Sequence, residues 1–405
     1  MKETASLTAT PTMLPLSTPR WSLALFAISG LLALLLSMGV GRFAYTALLP
    51  QMLEEGLLSH TGGALLAGAN YAGYLVGALW TAFSRDVKPV PRLVGAMAAS
   101  VLTTFSMGFD LGFGLWCLVR FGAGMASAVV YVYATGIVLR RLMTLGAPGW
   151  SALHYMGIGG GITLSAIVAQ AMLNGHGHAA HGWWWLGALA LPAALCAAAG
   201  LVPAGRRALS ASEAAALQTP ATQHPPLGWL AAAYGLAGFG YIVNMTFMPV
   251  MLRGHSGTST AALTGWLVVG IAAMPATALW IRLALWRGTY PALIACTLLQ
   301  AVGVALPVLL PGVTAALVGA ALLGGSFMGV AGLAQWLARL PDPQASARRI
   351  GLLTAFYGLG QIAGPLMVAA LDQGADFTRP VQLAAGALLV SAALLEVSRR
   401  VERLG

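Results

Sequence analysis

Twelve apolar stretches, each long enough to cross a bilayer, constrain this chain more than any motif in it. A crossing helix needs about 20 predominantly apolar residues. Segments of that length begin near Trp21, Gly62, Leu93, Phe113, Trp150 and Trp183, and again near Gly228, Ala261, Thr289, Gly312, Ile350 and Arg379. In hydrocarbon each backbone amide must find its partner within the protein, so runs of this kind read as helices. The expected class is an all-α membrane protein of twelve transmembrane helices. Composition agrees. Only 8% of the 405 residues are charged, against roughly 25% in a soluble domain.

A break from Pro203 to Leu227, with Arg206, Arg207, Glu213 and four prolines, separates the sixth stretch from the seventh. It divides the chain into a disordered cytoplasmic tail (1–20), an N-terminal six-helix half (21–202), a cytoplasmic linker (203–227), a C-terminal six-helix half (228–398) and a short tail (399–405). Ser210 and Glu213 have capping-box spacing, which predicts a short surface helix in the linker. The first apolar run is too long for the core of a cleaved signal peptide and reads as a retained span.

Lysine and arginine set the orientation. With the N-terminus cytoplasmic, 17 of the 21 fall inside, Arg253 and Arg379 fall outside, and Arg42 and Arg120 lie within spans. Both termini are expected in the cytoplasm, with the protein multi-pass in a bacterial inner membrane. The net charge of +10 then reports topology, not a nucleic-acid surface, and no nucleic-acid partner is expected. Cys117, Cys196 and Cys296 lie far apart in apolar runs and read as small core residues.

The halves share a pattern. Gly39-Val-Gly41 leads to Pro50-Gln-Met52-Leu53, and Gly238-Phe-Gly240 leads to Pro249-Val-Met251-Leu252. The offset is constant (240 − 41 = 199 and 249 − 50 = 199), near half the chain. Parallel repeats of this kind mark transporters whose halves rock about a central site. Pairs such as Gly73/Gly77, Gly157/Gly161 and Gly360/Gly364 have the spacing that lets membrane helices approach closely.

The two deep arginines carry the functional argument. An arginine at bilayer depth costs between about 2.5 and 17 kcal/mol and usually faces a cavity or a partner. No acid lies comparably deep; Asp110 and Glu396 sit at span ends. A guanidinium grips a carboxylate or phosphate with two parallel hydrogen bonds. Arg42 follows Gly39 and Gly41, which open the first span just before it, and Arg120 lies inside the outer end of the fourth. For Arg42 a snorkelling side chain is the alternative, and for Arg120 a structural bond to backbone carbonyls. Asn70, Tyr74 and Gly77 share a face of span two by helical spacing. Tyr241, Asn244 and Thr246 occur at the related place in span seven, with Gln335, Tyr357 and Gln361 as further candidates. His154 is the sole histidine inside a span and can relay a proton, although its position near the cytoplasmic end predicts an interfacial side chain. The loop Asn174-Gly-His176-Gly-His178-Ala-Ala-His181 reads as a solvated polar loop, with metal binding as the alternative. No metal, cofactor or catalytic constellation is expected.

Four segments carry a family resemblance: Gly39-Val-Gly41-Arg42-Phe43-Ala44-Tyr45-Thr46, Ala69-Asn70-Tyr71-Ala72-Gly73-Tyr74-Leu75, Gly238-Phe-Gly240-Tyr241 with Thr246-Phe247, and Gly358-Leu-Gly360-Gln361-Ile-Ala-Gly364-Pro365. In these the chain resembles the major facilitator superfamily, in its YbfB/YjiJ-type bacterial branch. The resemblance implies twelve helices in two pseudo-symmetric halves, alternating access and a central cavity. Arg120-Phe-Gly-Ala-Gly124 resembles the superfamily's Arg-x-x-x-Gly motif, which is linked there to proton coupling. Ser84-Arg85-Asp86-Val87-Lys88 keeps the charges of the usual basic loop and loses its glycine spacing. Gly157 to Gly161 lacks the antiporter proline, so antiport is not implied.

The expected function is secondary transport of a small organic anion with proton symport. Arg42, Tyr45, Asn70, Tyr74, Arg120, Tyr241, Asn244 and Gln361 form the expected substrate site, with Arg120 and His154 as coupling residues. The expected partners are a small-molecule substrate, membrane lipid and protons, with the chain acting as a monomer. An exporter of amphipathic or toxic compounds is the alternative, and a non-transport membrane sensor a second one.

Overall fold

Helix α1 occupies residues 20–54 in three pieces. It starts as an α-helix, Arg20–Leu34, loosens into a π-helical turn at Leu35–Val40, and resumes at Ala44–Glu54. It is followed by α2 (His60–Phe83), α3 (Pro89–Ser106), α4 (Gly112–Thr144), α5 (Ser151–Asn174) and α6 (Ala179–Arg206). The second half holds α7 (Leu227–Ser256), α8 (Ser259–Arg287), α9 (Thr289–Leu309), α10 (Val313–Leu337), α11 (Pro343–Leu371) and α12 (Thr378–Leu404). This computed structural model describes residues 20–84, 89–207, 227–256, 258–310, 312–338, 343–371 and 376–404. The polar N-terminal tail, Arg85 to Lys88 and the Ser210–Glu213 helix expected from sequence lie outside the described residues.

Ten of the helices are long and apolar enough to cross a membrane on their own; α2 and α3 fall short. The reason is visible in their residues. Helix α2 carries His60, Asn70, Tyr71 and Tyr74 toward the protein interior, and α3 has 18 residues with Arg92 in its first turn. With twelve crossings the two ends of the chain share a face, called here the termini face. Three boundaries differ from the sequence expectation. Helix α6 runs on to Arg206, α11 begins at Pro343 and not near Ile350, and α12 continues to Leu404, so the expected C-terminal tail is helical. There Glu396 accepts from Arg399 at 2.8 Å and Arg400 at 2.9 Å, the i,i+3 and i,i+4 spacing that supports a helix end.

The packing repeats with a shift of six helices. In the first half α1 packs on α5 and α6, α2 on α4, and α3 on α4 and α6. In the second, α7 packs on α11 and α12, α8 on α10, and α9 on α10 and α12. The halves meet where α2 lies along α11 and α5 along α8. Glycine makes these approaches possible. A Cβ on Gly124 would collide with the backbone of Asn70 and Tyr74, and one on Gly39 with the backbone of Gly161. Gly238 and Gly360 close the α7–α11 crossing in the same way, and 199 separates Gly39 from Gly238 and Gly161 from Gly360. The repeat seen in sequence is therefore a repeat of helix crossings.

Candidate functional site

The break in α1 is held open by α4. Gly41 N–H reaches back to Leu36 O at 2.8 Å and Phe43 N–H to Met38 O at 3.3 Å, five residues each, so nearby carbonyls lose their helical partners. Such carbonyls must be satisfied by other groups in a membrane. Ser127 Oγ donates to Ser37 O at 2.6 Å. Arg120 Nη1 donates to Gly41 O at 3.2 Å and its Nη2 to Arg42 O at 3.1 Å. Asn70 Nδ2 then donates to the Arg120 carbonyl at 2.9 Å, and Tyr45, under the Arg120 guanidinium at 4.8 Å, donates to Gly63 O at 2.7 Å. Arg120, Asn70 and Tyr45 thus tie α1, α2 and α4 together.

Arg42 sits at that break and is 3% exposed. It faces the interior, not the interface. Its guanidinium carbon lies 4.1 Å from the Tyr74 ring centre, 5.0 Å from Tyr71 and 5.3 Å from Phe43. Its Nε and Nη2 are buried without a hydrogen-bond partner. Across from it stands a stack from the second half. Tyr241 lies 5.5 Å from Tyr357 and 6.1 Å from Phe327, and Tyr234 lies 4.2 Å from Tyr357. Phe43 bridges to Phe327 at 6.1 Å and to Trp266 at 6.4 Å. Gln361 donates from Nε2 to the Tyr241 hydroxyl, while its Oε1 is buried and unpartnered. Among the described residues the buried charged or titratable side chains include Arg42, Arg120 and His154 and no carboxylate. Aromatic rings from both halves thus cluster around the Arg42 guanidinium, which keeps two nitrogens without hydrogen-bond partners.

The structure gathers Arg42, Tyr74, Tyr241, Tyr357 and Gln361 in this cluster, with Thr246 bonded to Tyr71 and Gln335 beside Tyr234, and it places Asn70, Asn244 and His154 elsewhere. Asn70, Gly73 and Gly77 turn onto α4, so the shared α2 face expected from spacing is a packing face, with Tyr74 at its edge. Asn244 donates to Val304 O at 3.1 Å and ties α7 to α9. Gln335 is half-buried on α10 and meets the Tyr234 hydroxyl. His154 is not interfacial as expected. It is 0% exposed, 3.0 Å from Thr135 Oγ1, against Gly30 of α1, because α1 and α4 close over the start of α5. The cluster also contains Phe43, Tyr71, Phe327, Trp266 and Tyr234, which the sequence reading did not select. In an apolar helix an aromatic residue looks the same whether it meets lipid, core or cargo.

The side away from the termini is sealed across the two halves. Thr46 Oγ1 donates to Met245 O at 2.9 Å, and these residues are 199 apart, so repeat-equivalent positions touch at the pseudo-symmetry axis. Tyr71 and Thr246 share a hydrogen bond of 2.8 Å, and Trp266 Nε1 donates to Ser165 Oγ at 3.1 Å. Arg253 pairs with Glu54 and reaches Pro50 O at 3.5 Å. The histidine-containing loop lies beside this seal. His178 is 3.6 Å from Glu55, whose Oε1 accepts from Ala179 N–H at 2.9 Å and caps α6.

A twelve-helix bundle made of two equivalent halves, with polar groups gathered on the axis between them, defines a membrane transporter of the major facilitator fold. Residues 34–397 match the model of the family described as uncharacterised MFS-type transporter YbfB, and the chain belongs to that family. No curated protein sequence matches it. Among solved structures it is similar to a nucleoside transporter, NupG, in a mutant form (TM-score 0.67, 14% identity, 92% of this chain and 99% of that one). It is similar also to a D-xylose–proton symporter (0.68, 14%, 93% and 97%). A bacterial homologue of the human lysosomal transporter Spinster, in an inward-facing and occupied conformation, matches at 0.64 and 14% over 95% of this chain and 98% of that one. At this identity the likeness establishes the fold alone.

Proposed function

We propose that this protein is a secondary active transporter of a small organic anion, with Arg42 as the cargo-binding cation. The observation that carries the proposal is the Arg42 guanidinium, buried on the axis with two nitrogens unpartnered and no carboxylate among the described residues to neutralise it. A buried charge without a partner is costly, and an anionic cargo offsets that cost each time it binds. Tyr74, Tyr241 and Gln361 shape the pocket beside it. Arg120 acts as a positioning residue that keeps the α1 break in place. All the residues of this site come from one chain, which works as a monomer. Protons supply the drive, as in the symporter that shares the fold. His154, enclosed by α1 and α4 and 3.0 Å from Thr135 Oγ1, is the coupling residue.

The termini face is cytoplasmic, following the asymmetry of lysine and arginine. The seal at Thr46, Tyr71, Arg253 and Trp266 is then the outer gate. Arg253→Ala removes the ion pair to Glu54. It is expected to raise labelling of a cysteine placed at Thr46 by an impermeant maleimide added from outside. Labelling equal to that of the parent leaves the gate assignment without support.

Uptake by proteoliposomes tests the proposal. An anion accumulates when the outside is acidified, and a proton ionophore stops it. His154→Gln retains binding and loses the response to the pH gradient. Accumulation of neutral sugars in place of anions overturns the reading. The aromatic lining favours one second reading, export of amphipathic compounds. A deletion strain separates the two, since export changes inhibitory concentrations and uptake changes growth on a carbon source.

A further inference from the structure

A groove of about 660 Å³ opens on the termini face where the two halves meet. Its walls come from the end of α2 (Leu79, Phe83), the first residue of α7 (Leu227) and the early part of α11 (Arg348, Arg349, Leu352). We propose that this groove binds one anionic phospholipid, with its phosphate on the two arginines and an acyl chain along Phe83 and Leu352. The orientation proposed above puts that lipid in the inner leaflet. The site is independent of the cargo and of Arg42.

The rim selects the headgroup. Arg348 is exposed and has no ion-pair partner among the described residues. Arg349 beside it is half-buried and lies in the field of Glu402 on α12. Glu402 offsets one of these two charges, and no carboxylate lines the groove among the described residues, so the rim stays positive. A guanidinium forks onto two phosphate oxygens. Basic pockets between membrane helices on the cytoplasmic side hold anionic headgroups for this reason. A zwitterionic lipid carries its own cation next to the phosphate and gains less from the same rim.

The walls select a chain over a soluble anion. Phe83 is 63% exposed and Leu352 42% exposed. Apolar surface left open in this way marks contact with a membrane or a partner. A soluble phosphate would meet the arginines and leave these walls bare, whereas a phospholipid covers both. The groove also depends on how the halves are arranged. Behind it Gly351 of α11 faces α2, where a Cβ would stand 3.5 Å from Ala82 and 3.9 Å from Phe83. The groove keeps its shape only while α2 and α11 touch there, so a lipid bound in it favours this arrangement.

Thermal melting of the full-length protein in uncharged detergent, titrated with dioleoyl phosphatidylglycerol, dioleoyl phosphatidylcholine and glycerol 3-phosphate, tests the proposal. Phosphatidylglycerol is expected to raise the melting temperature, and the other two to give no shift. Arg348→Gln weakens the apparent affinity for phosphatidylglycerol about fivefold, the contribution of one arginine near an anionic lipid surface. Arg282→Gln, at the termini-face end of α8, leaves it unchanged. A phosphatidylglycerol with a photoactivatable acyl chain is expected to label α2 and α11 in the wild type. An equal shift with phosphatidylcholine overturns the anionic class. A shift with glycerol 3-phosphate as large as that with the lipid overturns the lipid. An undiminished response in Arg348→Gln, or labels confined to other helices, overturns the site. No shift with phosphatidylglycerol overturns the proposal. The lipid panel and the labelling of the wild type decide the matter even where a variant fails to fold.

Discussion

Arg42→Met is expected to abolish anion uptake while raising the melting temperature of the unliganded protein. The two effects have one cause. The guanidinium is 3% exposed, its Nε and Nη2 lack partners, and the described core holds no carboxylate beside it. Methionine keeps the length of the stem and its contact with Phe43, Tyr71 and Tyr74, and removes the charge. A central arginine in a membrane helix costs about 2.5–3.5 kcal/mol on the insertion scale, so relief of about 2 kcal/mol is expected. The cargo meanwhile loses a charge-assisted fork. Truncating one member of a buried, hydrogen-bonded charge pair typically costs about 2–5 kcal/mol, so affinity should fall at least about 30-fold. Melting curves of the empty protein and uptake in proteoliposomes measure the two halves of the prediction. A protein made less stable by the change would mean that Arg42 holds the fold together and has no need of a guest.

Arg120→Ala is expected to do the opposite to stability. Arg120 is as deeply buried as Arg42, yet its terminal nitrogens donate to the carbonyls of Gly41 and Arg42, which the π-helical turn leaves without helical partners. Hydrogen bonds to charged groups contribute about 1.5–3 kcal/mol each, and the carbonyls left behind in a water-free interior add to the loss. A destabilisation of about 3 kcal/mol or more follows from two such bonds. Lysine at this position should recover part of it, since a compact ammonium cannot fork across two carbonyls as a guanidinium does. The check is the midpoint of thermal unfolding without ligand. Unaltered stability together with lost uptake would return Arg120 to the role of direct anion ligand.

The contrast between these two arginines shows how far the chain can be read without coordinates. Both sit in apolar runs, both follow or precede glycines, and each reads as a candidate anion ligand. Their difference lies in hydrogen bonds between residues 78 or 79 positions apart. No local pattern encodes which guanidinium is spent on backbone and which is left free. His154 makes the same point. Its place near the start of α5 suggested an interfacial ring, and only the closure of α1 and α4 over it removes it from water.

The number of crossings, the division into halves and the shared 199-residue offset were determined by the sequence alone. They follow from hydrophobic length and from duplicated glycine and proline positions, which are properties of contiguous residues. The tertiary structure decided the loosening of α1 beside α4, the gathering of Phe43, Tyr71, Tyr241, Phe327 and Tyr357 around Arg42, and the seal at Thr46 and Met245. In a chain so uniformly apolar, lipid-facing and cargo-facing side chains have the same composition. Direction is set by how helices cross, and crossing is a relation between distant segments.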